Sequence, residues 1–328
     1  MTSKIIKFIL RILFTILFLA LAVSKLDFRN VYPVFCKIHL PFYLAGLMVF
    51  LISPYISTCG MRLLLRSLGV HLELFHVLKT NFVAFFIAFA AEIVRWMGLS
   101  HEGQRRGEAF LAIIMEKWQG LFVFYSFLVT GLCFFSKDLT GGLGLKELGL
   151  IAWLVPVLGS ALFAMAVLFF YGGLQARIER GCQALAEKGH GKFIGARLKD
   201  LMRVLGHFRS HKRPFFQALL LAFLNFASGA VCFYLFLSAV EVRMPWHVLI
   251  WLNAVSGILF MFPVTFYGMG MREAFYVYFF AKYGVVPEKA FMIGLMTTAS
   301  YFIFPLIGAV FFFVGGGPVK RNQRGFNL

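Results

Sequence analysis

Apolar residues run for long stretches of this chain, and the charged residues gather between the runs. The stretches Ile5–Val23, Phe42–Thr58, Glu108–Phe135, Leu148–Tyr171, Phe215–Val240 and Ala290–Val314 are each near the ~20 residues a helix needs to cross a ~30 Å hydrocarbon core. Two further stretches are interrupted: Asn81–Leu99 by Glu92 and Arg95, and Trp246–Tyr283 by Pro263, Gly268, Gly270, Arg272 and Glu273. The pattern predicts an all-α polytopic membrane protein with about six to eight transmembrane helices and two re-entrant or broken segments. Residues 1–328 read as a single integral membrane domain, with residues 172–213 as a cytoplasmic basic segment inside it. Within that segment Ile194, Leu198, Leu201, Leu205 and Phe208 recur at helical spacing, with Arg197, Lys199, Asp200 and Arg203 on other faces. That is a basic amphipathic helix, lying on anionic lipid or packed on the domain.

The distribution of charge sets the expected orientation. Ten Lys/Arg lie between Arg177 and Arg213, and more flank the apolar runs at Lys4, Lys7, Arg62, Arg66, Lys79, Arg105, Arg106, Lys320, Arg321 and Arg324. The connections at 24–41, 136–148 and 241–246 hold only Lys25, Arg29, Lys37, Lys137, Lys146 and Arg243. Basic loops stay in the cytoplasm, so both termini and residues 172–213 are expected inside. Basic residues flank Asn81–Leu99 on both sides, which a hairpin entering and leaving from the cytoplasmic face satisfies. Two interrupted segments in corresponding halves suit an inverted repeat of the transporter kind. Lys4, Lys7 and Ala20-Leu21-Ala22 imitate a cleavable signal peptide, but Arg11 interrupts the apolar stretch, and a retained first helix is expected.

Composition agrees with a membrane. The chain is 60% hydrophobic with 42 Phe and only 14% charged, and its mean hydropathy is +0.82, whereas soluble domains are roughly 25% charged. A net charge of +18 invites a nucleic-acid partner, but no nucleic-acid-binding motif accompanies it. Cys36, Cys59, Cys133, Cys182 and Cys232 are odd in number and widely spaced, which suggests neither a disulfide framework nor a zinc site. His207 and His211 have i,i+4 spacing without a third ligand. Neither a metal nor a cofactor is expected. Trp96, Trp118, Trp153, Trp246 and Trp251 mostly fall near expected span ends, as interfacial aromatics do. A Walker A loop, an HExxH helix and a GxSxG elbow are all missing from the sequence.

Charges inside apolar runs are the candidate chemistry, because a charge at membrane depth costs several kcal/mol unless it is paired or hydrated. Glu92 and Arg95 are three apart and share a helical face, where they neutralise each other, either as a packing pair or as part of a polar pathway. Glu116 points toward Arg95, whereas Lys117 snorkels to the interface. Pro263, Gly268 and Gly270 break the later segment, and a helix starting after Gly270 offers free N–H groups beside Arg272 and Glu273 to an anionic phosphate. A kinked span with a structural Arg–Glu pair uses the same residues.

These elements resemble the lysylphosphatidylglycerol synthase transmembrane-region family, the flippase-like membrane portion of aminoacyl-phosphatidylglycerol synthases and of stand-alone proteins. The resemblance rests on Arg62 with the leucines after it, Glu92-x-x-Arg95, Glu116-Lys117-x-x-Gly120, and Pro263 through Gly268-Met-Gly270-Met-Arg272-Glu273, followed by Gly284 and Ala290. Ala88, Ala90 and Ala91 stand where the family is usually rich in glycine and proline. The resemblance implies a bacterial-type plasma membrane location and the translocation or handling of a phospholipid or polyprenyl glycolipid. Glu92, Arg95, Glu116, Arg272 and Glu273 are then the expected headgroup-binding residues, with Pro263, Gly268 and Gly270 as backbone hinges. The alternative is an intramembrane enzyme or an accessory subunit of envelope glycolipid synthesis. Expected partners are a membrane lipid with an anionic phosphate and either a second copy of the chain or an envelope-biosynthesis protein. No aminoacyl-transferase domain follows Leu328, so lysine transfer is not expected of this chain alone.

Overall fold

The computed structural model describes residues 2–87, 91–100, 106–140, 212–261 and 268–314, together with 157, 159, 160, 162 and 265. Among the described residues the chain is all-helical. In order these helices are α1 (Thr2–Val23), α2 (Phe28–Cys36), α3 (Leu40–Ser67), α4 (Leu74–Ile87), α5 (Ala91–Leu99), α6 (Arg106–Thr140), α7 (Lys212–Ala239), α8 (Trp246–Met261), α9 (Met271–Ala281) and α10 (Pro287–Val314).

Four of them, within α3, α6, α7 and α10, are long and apolar enough to cross a membrane. Their surfaces are apolar too: Met48, Leu220, Leu306 and Val310 are all more than half exposed. Water would not tolerate so many uncovered side chains, whereas acyl chains solvate them. The shorter apolar helices, α4 and α8 among them, belong to the two interrupted segments expected from the sequence. Glu92 and Arg95, expected to interrupt the earlier segment, lie inside α5 instead, whereas Pro263, Gly268 and Gly270 do fall between the end of α8 at Met261 and the start of α9 at Met271.

The chain gathers into two compact units. The first holds residues 1–53, 124–149 and 225–306, and thus α1, α2, α8, α9 and parts of α3, α6, α7 and α10. Here α1 lies against the start of α9. Gly270, the residue before α9, has φ +79°, and a Cβ there would stand 2.6 Å from the Thr15 backbone oxygen. Only glycine combines that backbone with that approach.

The second unit holds residues 54–123, 150–224 and 307–328. In it α4 and α5 form a packed helical pair. Val83, Ala84 and Val94 bury against Ile87, Ala91, Phe311 and Phe312, so the pair is held by its own apolar face and by the end of α10. His76 Nε2 lies 2.9 Å from the Gly98 carbonyl oxygen, tying the start of α4 to the end of α5.

The 24–41 connection contains α2, whose N-cap Asp27 accepts from the Arg29 N–H at 3.0 Å and which is too short to span. One further expectation needs correction: Trp118 and Trp251 are buried rather than interfacial; Trp118 packs on Phe122 and Phe215. Leu148–Tyr171 beyond isolated residues, the amphipathic 194–208 helix, Trp153, Cys182, His207 and His211 lie outside the described residues.

Candidate functional site

The charged residues singled out in the sequence form two clusters, one in each unit. The first is built where α5 faces α6. Glu92 and Arg95 sit one turn apart on α5, and Glu116 and Lys117 are neighbours on α6. Arg95 donates from Nη2 to Glu116 Oε2 at 2.5 Å and from Nη1 to Glu92 Oε2 at 3.3 Å. Lys117 Nζ lies 2.8 Å from Glu92 Oε1. Two cations and two carboxylates therefore alternate around an open ring of three contacts, Lys117–Glu92–Arg95–Glu116, and balance in charge.

Behind this ring stands a polar shelf. Arg95 Nε donates to Asn81 Oδ1 at 2.9 Å, and Asn81 Nδ2 donates to Thr58 Oγ1 at 3.0 Å. Ser57 Oγ donates to Glu116 Oε1 at 2.8 Å. The guanidinium fork is thus directed by three acceptors at once, which fixes its plane far more tightly than one carboxylate would.

Burial divides the cluster in two. The side chains of Arg95 and Glu116 are 10% and 19% exposed, while those of Glu92 and Lys117 are 48% and 47% exposed. The inner pair is closed in protein and the outer pair is open. An open ion pair on membrane helices needs water or a polar headgroup against it, since acyl chains solvate neither charge.

The expected turn of Glu116 toward Arg95 is observed. Lys117, expected at the interface, is half exposed and pairs with Glu92. Sequence reasoning missed Ser57, Thr58 and Asn81. Their signal was faint: small polar residues in apolar runs of α3 and α4, which serve equally well as helix packing residues.

The second cluster surrounds the break before α9. Arg272 and Glu273 are 2% and 0% exposed. Thr298 Oγ1 on α10 accepts from Arg272 Nη1 at 3.1 Å and donates to Glu273 Oε1 at 2.6 Å. Glu273 Oε2 accepts the Gly270 N–H at 2.6 Å, so this N–H at the helix start is taken by the helix's own third residue. The Arg272 guanidinium lies over the rings of Phe260 and Tyr301, 4.8 and 4.3 Å from their centroids. Both glycines before it are left-handed, Gly268 at φ +76° and Gly270 at φ +79°. Arg272, Glu273, Gly268 and Gly270 come together as expected, with Thr298, Tyr301 and Phe260 as additions; Pro263 lies outside the described residues.

Among the described residues no group of three or more His, Cys, Asp or Glu is placed to hold a metal. The profile of the family described as Lysylphosphatidylglycerol synthase TM region matches residues 8–309. No curated protein and no solved structure matches the chain. With the matched span covering most of the chain, both charged clusters included, the chain belongs to the lysylphosphatidylglycerol synthase transmembrane-region family and is an integral, multi-pass membrane protein.

Proposed function

We propose that this protein moves a lipid with a phosphate-bearing headgroup across the bilayer, and that the headgroup engages the Glu92–Arg95–Glu116–Lys117 ring. The observation that carries this reading is the ring's division into a closed inner pair and an open outer pair. Opening an exposed ion pair costs roughly 0–1 kcal/mol, while breaking a buried one costs about 3–5 kcal/mol. An arriving phosphate therefore exchanges with Glu92 on Lys117 and on Arg95 Nη1, and leaves the Arg95–Glu116 contact in place. Released Glu92 is then free to receive an amino or hydroxyl group of the same headgroup. The acyl chains remain among the exposed apolar side chains of the spans.

In this reading Arg272 and Glu273 act at the other broken segment. Their bonds to Thr298 and Gly270 hold the start of α9, and a passing headgroup competes for the same donors and acceptors. Membership of the family supports lipid handling.

The test is reconstitution in vesicles with a headgroup-labelled phospholipid, scoring transfer between leaflets and recovering the lipid afterwards. Transfer of unchanged lipid that falls at least tenfold in Arg95→Gln, about 1.4 kcal/mol, is the expected result. No transfer by the wild-type protein across phosphatidylglycerol, phosphatidylethanolamine and polyprenyl-phosphate lipids overturns the proposal. Covalent change in the recovered lipid would instead favour the intramembrane enzyme.

A further inference from the structure

A cavity of about 190 Å³ opens in the second unit, away from both carboxylate-bearing clusters in its lining, bounded by Cys59, Arg62, Leu63, Arg66 and Leu74. The α3 residues at 59, 62, 63 and 66 follow i, i+3, i+4, i+7 spacing, so one face of the helix presents them together. Leu74, the first residue of α4, closes the other side. Arg62 Nε donates to the Leu72 carbonyl at 3.1 Å, which holds the stem of this arginine and leaves its two terminal nitrogens for another acceptor. Among the described residues no carboxylate forms an ion pair with Arg62 or Arg66, and none lines the cavity.

Two guanidinium groups one turn apart repel each other, and an anion held between them relieves that repulsion. Arg66 in the last turn of α3 also offsets the negative end of the helix dipole. We infer that the Arg62–Arg66 pocket is a binding site for a phosphate group of net negative charge, and specifically for the headgroup of an anionic phospholipid.

Two features favour the lipid over free phosphate. Leu63 and Leu74 make part of the lining apolar, and the adjoining Phe75 is 61% exposed, so a surface suited to an acyl chain continues from the cavity. Among the described residues the lining holds no carboxylate, which sets this pocket apart from the Glu92–Arg95 ring. Nothing in that described lining receives a choline or an amine, so an uncompensated phosphodiester is held in preference to a zwitterion.

Cys59 reports occupancy directly. In the full-length protein carrying Cys36→Ser, Cys133→Ser, Cys182→Ser and Cys232→Ala, the rate of Cys59 alkylation by a maleimide is measured in detergent. Short-chain phosphatidylglycerol, phosphatidylcholine of the same chain length, and inorganic phosphate are titrated separately. Saturable protection by phosphatidylglycerol is expected, with phosphatidylcholine at least tenfold weaker, as befits about 1.4 kcal/mol of charge-assisted contact. The Arg66→Gln variant, which breaks no bond within the protein, is expected to lose most of the protection, and Arg62→Gln with Arg66→Gln all of it.

Equal protection by phosphatidylcholine overturns the inference, because the cavity would then read chains and not charge. Protection by inorganic phosphate at the same concentration overturns the lipid assignment. Unchanged protection in Arg66→Gln at a wild-type melting temperature also overturns it, as does no protection by any of the three. None of these readouts needs lipid transfer, so their failure leaves the proposed function standing and the reverse holds as well.

Discussion

Arg95 and Glu116 meet end to end, Nη2 to Oε2, across 21 residues of sequence and from two different helices, and both are shielded by protein. The same guanidinium reaches Asn81 on α4, so three helices of the second unit converge on one side chain. Removing either partner strands a buried charge. Arg95→Gln and Glu116→Gln are each expected to lower stability by about 3–5 kcal/mol, and the double variant to recover at least ~1 kcal/mol of the summed loss. Denaturation in detergent measures all four species; strictly additive losses would show that the two side chains are not coupled.

Glu92 and Lys117 predict the opposite balance. Both are half exposed, so Glu92→Gln is expected to change stability by less than about 1 kcal/mol while reducing lipid transfer at least tenfold. Exchanging the charges, Glu92→Lys with Lys117→Glu, is expected to leave both the melting temperature and the transfer below wild type, since Arg95 then faces a lysine. Wild-type transfer by Glu92→Gln would remove the outer pair from the headgroup path.

Gly270 and Gly284 form a controlled comparison. Both have positive φ, +79° and +73°, but a Cβ at Gly284 meets nothing within 4 Å, whereas one at Gly270 meets the α1 backbone. Each alanine variant bears the strain of a positive φ, about 1–3 kcal/mol, and Gly270, with ψ −55°, lies in the more strained part of that region. Gly270→Ala is expected to lose at least ~1 kcal/mol more, from that backbone and from overpacking against α1. Equal melting temperatures for the two variants would mean that α1 does not press on the start of α9.

The exposed turn between α7 and α8 carries a pH-dependent contact. Glu241 accepts from His39 at 2.9 Å, and this hydrogen bond, then the charges of His39 and Lys289, hold its carboxyl below the ordinary value of 4.5. A carboxyl depressed in the folded state stabilises above its unfolded pKa, and that contribution fades as pH falls through the folded value. Glu241→Gln is therefore expected to flatten the decline of melting temperature below about pH 4.5. An identical acid limb in both proteins would exclude the contact.

Much of this architecture was legible in the sequence, for physical reasons that differ between residues. Hydropathy located the long helices because a bilayer demands a minimum apolar length, and Glu92, Arg95 and Glu116 stood out because charge in such a run is costly. Gly268 and Gly270 announced the α8–α9 break through the backbone freedom of glycine. Glu92 and Arg95 were expected to interrupt their run but lie within α5, because Glu116 and Lys117 of α6 meet their charges there. Snorkelling and ion pairing ask the same of Lys117 in one dimension, and only the neighbouring helix shows its partner. Asn81 and Thr58 gave a faint sign because small polar residues in apolar runs serve packing equally well, and α2 was concealed by its short length.

Orientation is a further expectation, with both termini and residues 172–213 inside. Single cysteines replacing Arg180, Lys137 and Arg243 in a cysteine-free background would be probed with an impermeant thiol reagent on intact cells. Labelling at Lys137 and Arg243 but not at Arg180 is the expected result, and labelling at Arg180 would reverse the assignment.

The close seating of Gly270 on the Thr15 carbonyl joins α1 to α9, a helix that follows it far along the chain. At ordinary translation speeds α9 emerges on the order of ten to fifty seconds after α1, and throughout that interval α1 must wait in the bilayer without its partner. Its exposed face of Leu13, Ile16 and Leu17 suits it to that wait, since lipid solvates it as well as protein does. Assembly of the first unit is therefore a late, closing event. A truncation anywhere before Gly270 leaves α1 inserted but undocked, and removal of α1 by a signal peptidase would uncover the one backbone surface that dictates glycine at that position.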